Sequence, residues 1–343
     1  MPQRTAILGG IVPSMARLKR MATHKWTVLL GKFLVSAVLI AALARNSDLR
    51  VLGPRFQAQA QIWVFAAATA TLTQILLGAV RWSQVLRGLG AGQPFGVVLR
   101  ITFIGGFFNS WLLGMAGGDV VRAMLAPAEE HGRATAVHSV LFDRVAALAG
   151  LGLVILPVMA LDLGPLARGW ALMVSIVIVM CPFAGLYCVT PIARILQRFR
   201  VPLLGYFRGA GESWSVLCNN GRRLAGALMA SAVSVVAISL TAYCLARAQD
   251  LDVSFVDFLI LMPPVVLLSS LPVSIGGWGI RETAMVLALA PFGVPASSAL
   301  LISVQMGLLA AFMSLPGGGF WLVRRSPGWR ARNAVTMPLG RGA

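Results

Sequence analysis

The sequence predicts an all-α, polytopic membrane protein with about six spanning helices, two re-entrant broken helical hairpins and an inverted-topology repeat. Three observations predict it. The 343 residues are 58% hydrophobic and only 12% charged, with a mean hydropathy of +0.82, whereas a soluble domain carries roughly 25% charged residues. Apolar runs of about 20 residues, the length that crosses a hydrocarbon core, recur along the chain. Two of those runs are broken by one pattern, Gly-Gly-x-x-x-Arg, in "GMAGGDVVRA" and again in "SIGGWGIRET".

The first 25 residues hold five Lys and Arg and read as a basic cytoplasmic N-terminus. Behind them, "FLVSAVLIAALA" has the Ala-x-Ala end of a signal peptide. The apolar stretch nevertheless begins at Trp26 and runs 19 residues to Ala44, interrupted only by Lys32, which is the length of a first spanning helix. Further apolar segments fall at 60–80, 95–116, 134–160, 169–190, 223–246, 258–292 and 298–323. The segment 95–116 is interrupted by "NSWLLGMAGGD", and 258–292 by "LPVSIGGWGIRE" after Pro263 and Pro264. Neither break has the charge density of a surface loop. Both read as half-helices meeting at unwound backbone, which a membrane tolerates only where protein or a water-filled cavity covers it. The alternative is two ordinary spans joined by a tight turn. The expected organisation is thus a basic N-terminus over 1–25, one membrane domain over 26–325 with repeat halves 26–160 and 169–323, and a cytoplasmic tail over 326–343.

A net charge of +18 in a soluble chain would point to nucleic acid. Here the positive-inside bias and attraction to anionic lipid account for it, so no nucleic-acid partner is expected. The N-terminus, the connections 81–100 and 191–223 and the tail together hold 19 Lys and Arg, and the alternate connections hold five. This asymmetry puts both termini in the cytoplasm of a multi-pass inner-membrane protein, provided each broken segment returns to the face it entered. Within 191–223, Arg194, Arg198, Arg200 and Arg208 alternate with apolar residues, as in a helix lying on the inner leaflet. Cys181, Cys188, Cys218 and Cys244 form no CxxC, the three histidines lack ligand spacing, and no GxxxxGK[ST] occurs. Neither metal, disulfide nor cofactor is expected.

Each half then reads span, span, broken hairpin, span, and the matching points 60 and 223, Gly117 and Gly276, 134 and 298 are similarly spaced. In an inverted repeat the binding site lies near the midplane, where the two breaks face each other. Arg122 and Arg281 carry that expectation, since an arginine at the bilayer centre costs roughly 2.5–3.5 kcal/mol and must find a partner. Paired glycines admit a ligand to the backbone, helix N-termini attract oxyanions, and a guanidinium grips phosphate through two parallel hydrogen bonds. The expected lipid-headgroup set is Gly117, Gly118, Asp119, Arg122, Gly276, Gly277, Arg281 and Glu282. The competing reading has Arg122 snorkelling at the membrane edge, paired with Asp119 or Glu129.

"HSVLFDRVAAL" supplies a supporting polar network of His138, Asp143 and Arg144. Asp143 and Arg144 are adjacent, point about 100° apart on a helix and need mates elsewhere. A hairpin arginine is the economical mate for Asp143. Asn109 and Trp111 before the first break, and Ser274 and Trp278 around the second, are candidates for lining a headgroup cavity.

"GGDVVRA", "AVHSVLFDRVAALAGL", "LPVSIGGWGIRE" and "SLPGG" together resemble the lysylphosphatidylglycerol synthase transmembrane, or flippase-like, family, from about Trp26 to Arg325. The resemblance implies a lipid-handling membrane domain that moves aminoacylated phosphatidylglycerol between leaflets in bifunctional members. It places the family's motif positions at Gly117, Gly118, Asp119, Arg122, Asp143, Arg144, Gly276, Gly277, Gly279, Arg281 and Glu282. The sequence ends shortly after its last apolar run, so no aminoacyl-transfer domain fits and synthase activity is not expected. Three functions compete. The first is transport of an anionic or modified (glyco)phospholipid. The second is a non-catalytic membrane partner of a lipid or cell-envelope synthase. The third is a membrane transferase whose carboxylates would be Asp250, Asp252 and Asp257.

Overall fold

The computed structural model describes residues 58–112, 117–126, 132–159, 209–270 and 278–325. The spans expected at 26–44 and 169–190, the basic segment 191–208, Gly276, Gly277, Ser274 and both termini lie outside these residues. The described residues are helical, with no strand among them. In chain order they form α1 (Ala58–Gly88), α2 (Phe95–Phe107), a π-turn (Phe108–Leu112), α3 (Gly117–Leu125) and α4 (Gly132–Met159). There follow α5 (Ala210–Asn219), α6 (Gly221–Arg247), α7 (Phe255–Ser269), α8 (Ile280–Leu289), a 3-10 turn (Ala290–Phe292) and α9 (Ala296–Arg325).

Four of these helices, α1, α4, α6 and α9, are long and apolar enough to cross a membrane. Their outer faces agree with that role. Ile62, Phe65, Leu72 and Leu76 on α1, and Met229, Val233, Val236 and Leu240 on α6, are exposed at helical spacing. Leu308, Phe312, Leu315 and Leu322 do the same on α9. Continuous apolar stripes of this kind would be a liability in water but suit acyl chains.

The order long, short, short, long occurs twice, as α1 to α4 and as α6 to α9. The packing obeys the same exchange. The two leading helices, α1 and α6, form the most extensive pair, while α2 packs on α9 and its counterpart α7 packs on α4. Each short pair, α2 with α3 and α7 with α8, closes on itself.

Small side chains make the central seam. Ala67 and Thr71 of α1 meet α6, where the Thr71 and Thr241 hydroxyls lie 3.4 Å apart. Backbones approach closely wherever a side chain is absent, which is how helices associate when lipid removes the hydrophobic incentive. A Cβ at Gly150 would press on Ser231 of α6, and one at Gly317 of α9 would collide with the Phe103 carbonyl of α2. Larger groups fill the second half, where Phe258, Met262, Met285, Leu289 and Ile302 are fully buried.

The breaks are where polar backbone must be satisfied. After the π-turn the Asn109 side-chain oxygen accepts the Gly118 N–H at 2.7 Å, capping the start of α3. The α7 start is closed by Ser254 and Asp257, which cap each other's backbone N–H. Gly279, with φ of 88°, turns the chain into α8, and its N–H donates to the Glu282 carboxylate.

Candidate functional site

Among the described residues, two clusters of charge sit inside this bundle, one in each run of four helices. The first gathers five residues from α1, α3 and α4. Asp143 of α4 is fully buried and accepts from Arg81 Nε at 2.7 Å and Nη2 at 3.3 Å. Its second oxygen also takes Arg122 Nη2 at 2.9 Å. Arg122 Nη1 reaches Asp119 at 3.4 Å, and Arg144 grips the same carboxylate with Nε at 2.6 Å and Nη2 at 2.9 Å. The Arg122 guanidinium carbon lies 4.3 Å from the centre of the Trp82 ring. The result is a chain of alternating charges, Arg81, Asp143, Arg122, Asp119 and Arg144, whose three guanidinium groups outnumber its two carboxylates.

The sequence pattern builds this cluster locally. Asp119 and Arg122 stand three apart on α3 and so share a face. Asp143 and Arg144 diverge around α4, and each finds its own mate, as their 100° separation requires. Gly105 of α2 makes room for the Arg122 stem, because a Cβ there would lie 2.8 Å from its Cγ. Gly118 serves the same crossing, since a Cβ would strike the Gly105 carbonyl and the Asn109 side chain.

The second cluster is smaller. Arg281 of α8 donates from Nε to Ser303 Oγ of α9 at 3.0 Å and from Nη2 to Glu282 at 2.7 Å. Glu282 is fully buried, and Ser303 Oγ also donates to it at 3.1 Å. The Trp278 ring covers Arg281 at 5.1 Å from the guanidinium carbon.

The expected residues therefore separate into two groups. Gly117 opens α3, and Gly118, Asp119 and Arg122 stand on it beside Asp143 and Arg144. Arg281 and Glu282 meet each other and α9. Among the described residues, no hydrogen bond or ion pair joins the Arg81, Asp143, Arg122, Asp119 and Arg144 cluster to Arg281, Glu282 and Ser303. His138 turns toward α5, with Nδ1 2.9 Å from Ser213 Oγ. Asn109 is a helix cap, and Trp111 donates its indole N–H to the Ala311 carbonyl at 3.1 Å. Of the transferase carboxylates, Asp257 spends one oxygen on capping α7.

Sequence reasoning missed Arg81, Trp82 and Ser303. Arg81 was counted with the connection 81–100 as a cytoplasmic charge, yet α1 continues to Gly88 and carries Arg81 into the bundle. The usable signal was the continuing helical spacing of Trp82, Val85 and Leu86, all buried.

Fold and clusters together define an all-α membrane protein with ion-paired arginines inside its helix bundle. The chain belongs to the lysylphosphatidylglycerol synthase TM region family, which matches residues 29–317. This ties the protein to lipid metabolism in the membrane, and the match is to the membrane region of the family. No curated protein matches the chain.

Proposed function

We propose that the protein moves an anionic or modified (glyco)phospholipid between the leaflets of the inner membrane, without an enzymatic step of its own. In this reading residues 26–325 form one transport domain with both termini cytoplasmic. Its two halves are of inverted topology, and α2–α3 and α7–α8 are the re-entrant hairpins. Gly117, Gly118, Asp119, Arg122, Gly276, Gly277, Arg281 and Glu282 border the headgroup path, and Asp143 and Arg144 brace it.

One observation carries the reading: the short-helix arginine of each half reaches onto the following long helix inside an apolar bundle. Arg122 meets Asp143 of α4, and Arg281 meets Ser303 of α9. Each buried arginine costs roughly 2.5–3.5 kcal/mol to insert, so a pair retained for packing alone would be an expensive choice. A headgroup that leaves water needs partners for its phosphate, and buried guanidinium groups supply them. With no ATP-binding loop in the sequence, movement follows the lipid gradient or an ion gradient.

The test is reconstitution of the full chain into phosphatidylcholine vesicles containing fluorescent phosphatidylglycerol, with leaflet exchange followed by dithionite quenching. Exchange faster than in protein-free vesicles is expected. The Arg122→Ala, Arg281→Ala double variant should slow it by about tenfold or more, the equivalent of one charged hydrogen bond. A rate equal to that of protein-free vesicles, or one untouched by the double substitution, would overturn the reading.

A further inference from the structure

We propose that Asp119 and Arg144 line a water-filled cavity that enters the bundle between α3 and α4, reaches the middle of the membrane and takes the phosphate of the lipid headgroup against Arg144. The inference rests on the lipid-transport reading and deepens it, by moving Arg144 from the frame of the headgroup path to its wall.

Depth and exposure together carry it. The helix α4 runs 28 residues, from Gly132 to Met159, and Arg144 stands near its middle. At 1.5 Å per residue Arg144 lies about 18 Å from one end of the helix and about 22 Å from the other. That is deeper than an arginine stem can bridge to either interface. Arg144 nevertheless keeps 38% of its side-chain surface, and its partner Asp119 keeps 20%. The other paired charges inside the bundle, among the described residues, differ. Asp143 and Glu282 are fully buried, and Arg81, Arg122 and Arg281 are mostly buried. Ionised groups at this depth face the bundle interior or a water-filled cavity, because acyl chains offer them nothing. Arg144 and Asp119 already hold each other, and accessible surface is left over after they have paired. What touches that surface is water or a polar ligand.

Charge selects the ligand. The row Arg81, Asp143, Arg122, Asp119 and Arg144 holds three guanidinium groups and two carboxylates, and so carries one net positive charge. Its most accessible member is Arg144, at one end. Low-dielectric walls focus the excess charge into the opening, where it draws an anion. Asp119 is the group that yields to one. Arg144 holds it at 2.6 and 2.9 Å, and Arg122 reaches it at 3.4 Å. It therefore keeps Arg122 when a phosphate oxygen replaces it on Arg144. Asp143 has no such freedom, since it is buried between two guanidinium groups that both depend on it.

The experiment measures thiol accessibility in the full chain, in phosphatidylcholine nanodiscs that leave both faces open, after Cys181, Cys188, Cys218 and Cys244 are replaced by serine. Val137 and Ala147 are half-buried and share the Arg144 side of α4, whereas Leu153 is exposed on the opposite side. Charged methanethiosulfonates react with hydrated thiols and not with thiols in acyl chains. Val137→Cys and Ala147→Cys should therefore react, and Leu153→Cys should not. Relative to the exposed Gly92→Cys, both should favour the anionic sulfonatoethyl reagent over the cationic trimethylammonium one. Adding dioleoyl-phosphatidylglycerol to the discs should slow Ala147→Cys several-fold against Gly92→Cys. Arg144→Gln should abolish that protection and Asp119→Asn should strengthen it, opposite effects that a merely structural pair would not give. Unreactive thiols at 137 and 147 would mean that no cavity is there, and would overturn the inference while leaving leaflet exchange standing. That arm alters no charged residue, so it decides the matter even if Arg144→Gln does not fold. Protection that survives Arg144→Gln would overturn the assignment to Arg144. Protection by millimolar inorganic phosphate in phosphatidylcholine discs would assign the cavity to the free anion and overturn the lipid assignment. Reactive, lipid-protected thiols without leaflet exchange in vesicles would sink the transport reading and support the cavity as a binding site.

Discussion

Asp143 is the residue on which the first cluster turns. Its carboxylate has no exposure to solvent and accepts three hydrogen bonds from two guanidinium groups. Deleting its charge leaves Arg81 and Arg122 facing each other in a dry interior, and breaking a buried pair in this way costs about 3–5 kcal/mol. Asp143→Asn should therefore lower the melting temperature markedly in detergent. Asp119→Asn removes a carboxylate that keeps 20% of its side-chain surface, from a partner that keeps 38%. Water can replace much of that contact, so its cost should be about 1 kcal/mol. Melting curves of the two variants side by side check the order. Equal shifts would mean that Asp143 is no more buried in the membrane than Asp119. The neighbouring Trp82 adds a face contact worth about 0.5–2 kcal/mol to Arg122, and its ring is fully buried with the indole N–H donating to Ser139 Oγ, so Trp82→Leu should lower the melting temperature more than Asp119→Asn.

At the scale of elements, glycine decides where helices can meet. Gly118 sits in the α2–α3 crossing with the Gly105 carbonyl and Asn109 already in the space a Cβ needs. Gly118→Ala should destabilise by about 1–3 kcal/mol through forced displacement of one helix. Gly96, also helical but with nothing within 4 Å of a built Cβ, is its control. Gly96→Ala should be neutral or stabilise by about 0.4–1 kcal/mol, since only unfolded-state freedom is lost. A thermal shift assay on both variants reads the difference. The helix ends before Gly117 and Ile280 were legible in the sequence because Gly-Gly with sparse charge cannot continue a lipid-exposed helix, whereas Pro263 and Pro264, expected just ahead of the second break, lie inside α7. Asp143 meeting a hairpin arginine was legible from the divergence of Asp143 and Arg144 around one helix turn. Arg81 was not, because an arginine ending an apolar run reads the same whether the helix stops or continues. The partner that distinguishes the two cases lies 62 residues away on α4. The register of α8 was equally hidden. Arg281 stands in its first turn, whereas Arg122 is the sixth residue of α3, although the motif spacing is identical.

The described residues carry the order long, short, short, long twice, and the pairing of α2 with α9 and of α7 with α4 is what an exchange of halves would produce. Whether the halves face opposite sides of the bilayer is a separate physical question, and charge supplies the argument. The turn between α1 and α2 lies between Arg87 and Arg100, and the turn between α6 and α7 carries Asp250 and Asp252, with Arg247 as the one basic residue beside it. Cytoplasmic loops collect Lys and Arg, so the proposed orientation puts the first turn inside and the second outside. Both residues proposed as probes, Gly92 and Asp252, are exposed in those turns. After Cys181, Cys188, Cys218 and Cys244 are replaced by serine, Gly92→Cys and Asp252→Cys each place one thiol at one turn. A membrane-impermeant maleimide should label Gly92→Cys only in inside-out vesicles and Asp252→Cys only in right-side-out vesicles. Labelling of both from one side would place the equivalent turns on the same face, which makes the repeat parallel. The two arginine clusters would then open toward one compartment, and a headgroup could not be handed from one leaflet to the other by an exchange of halves.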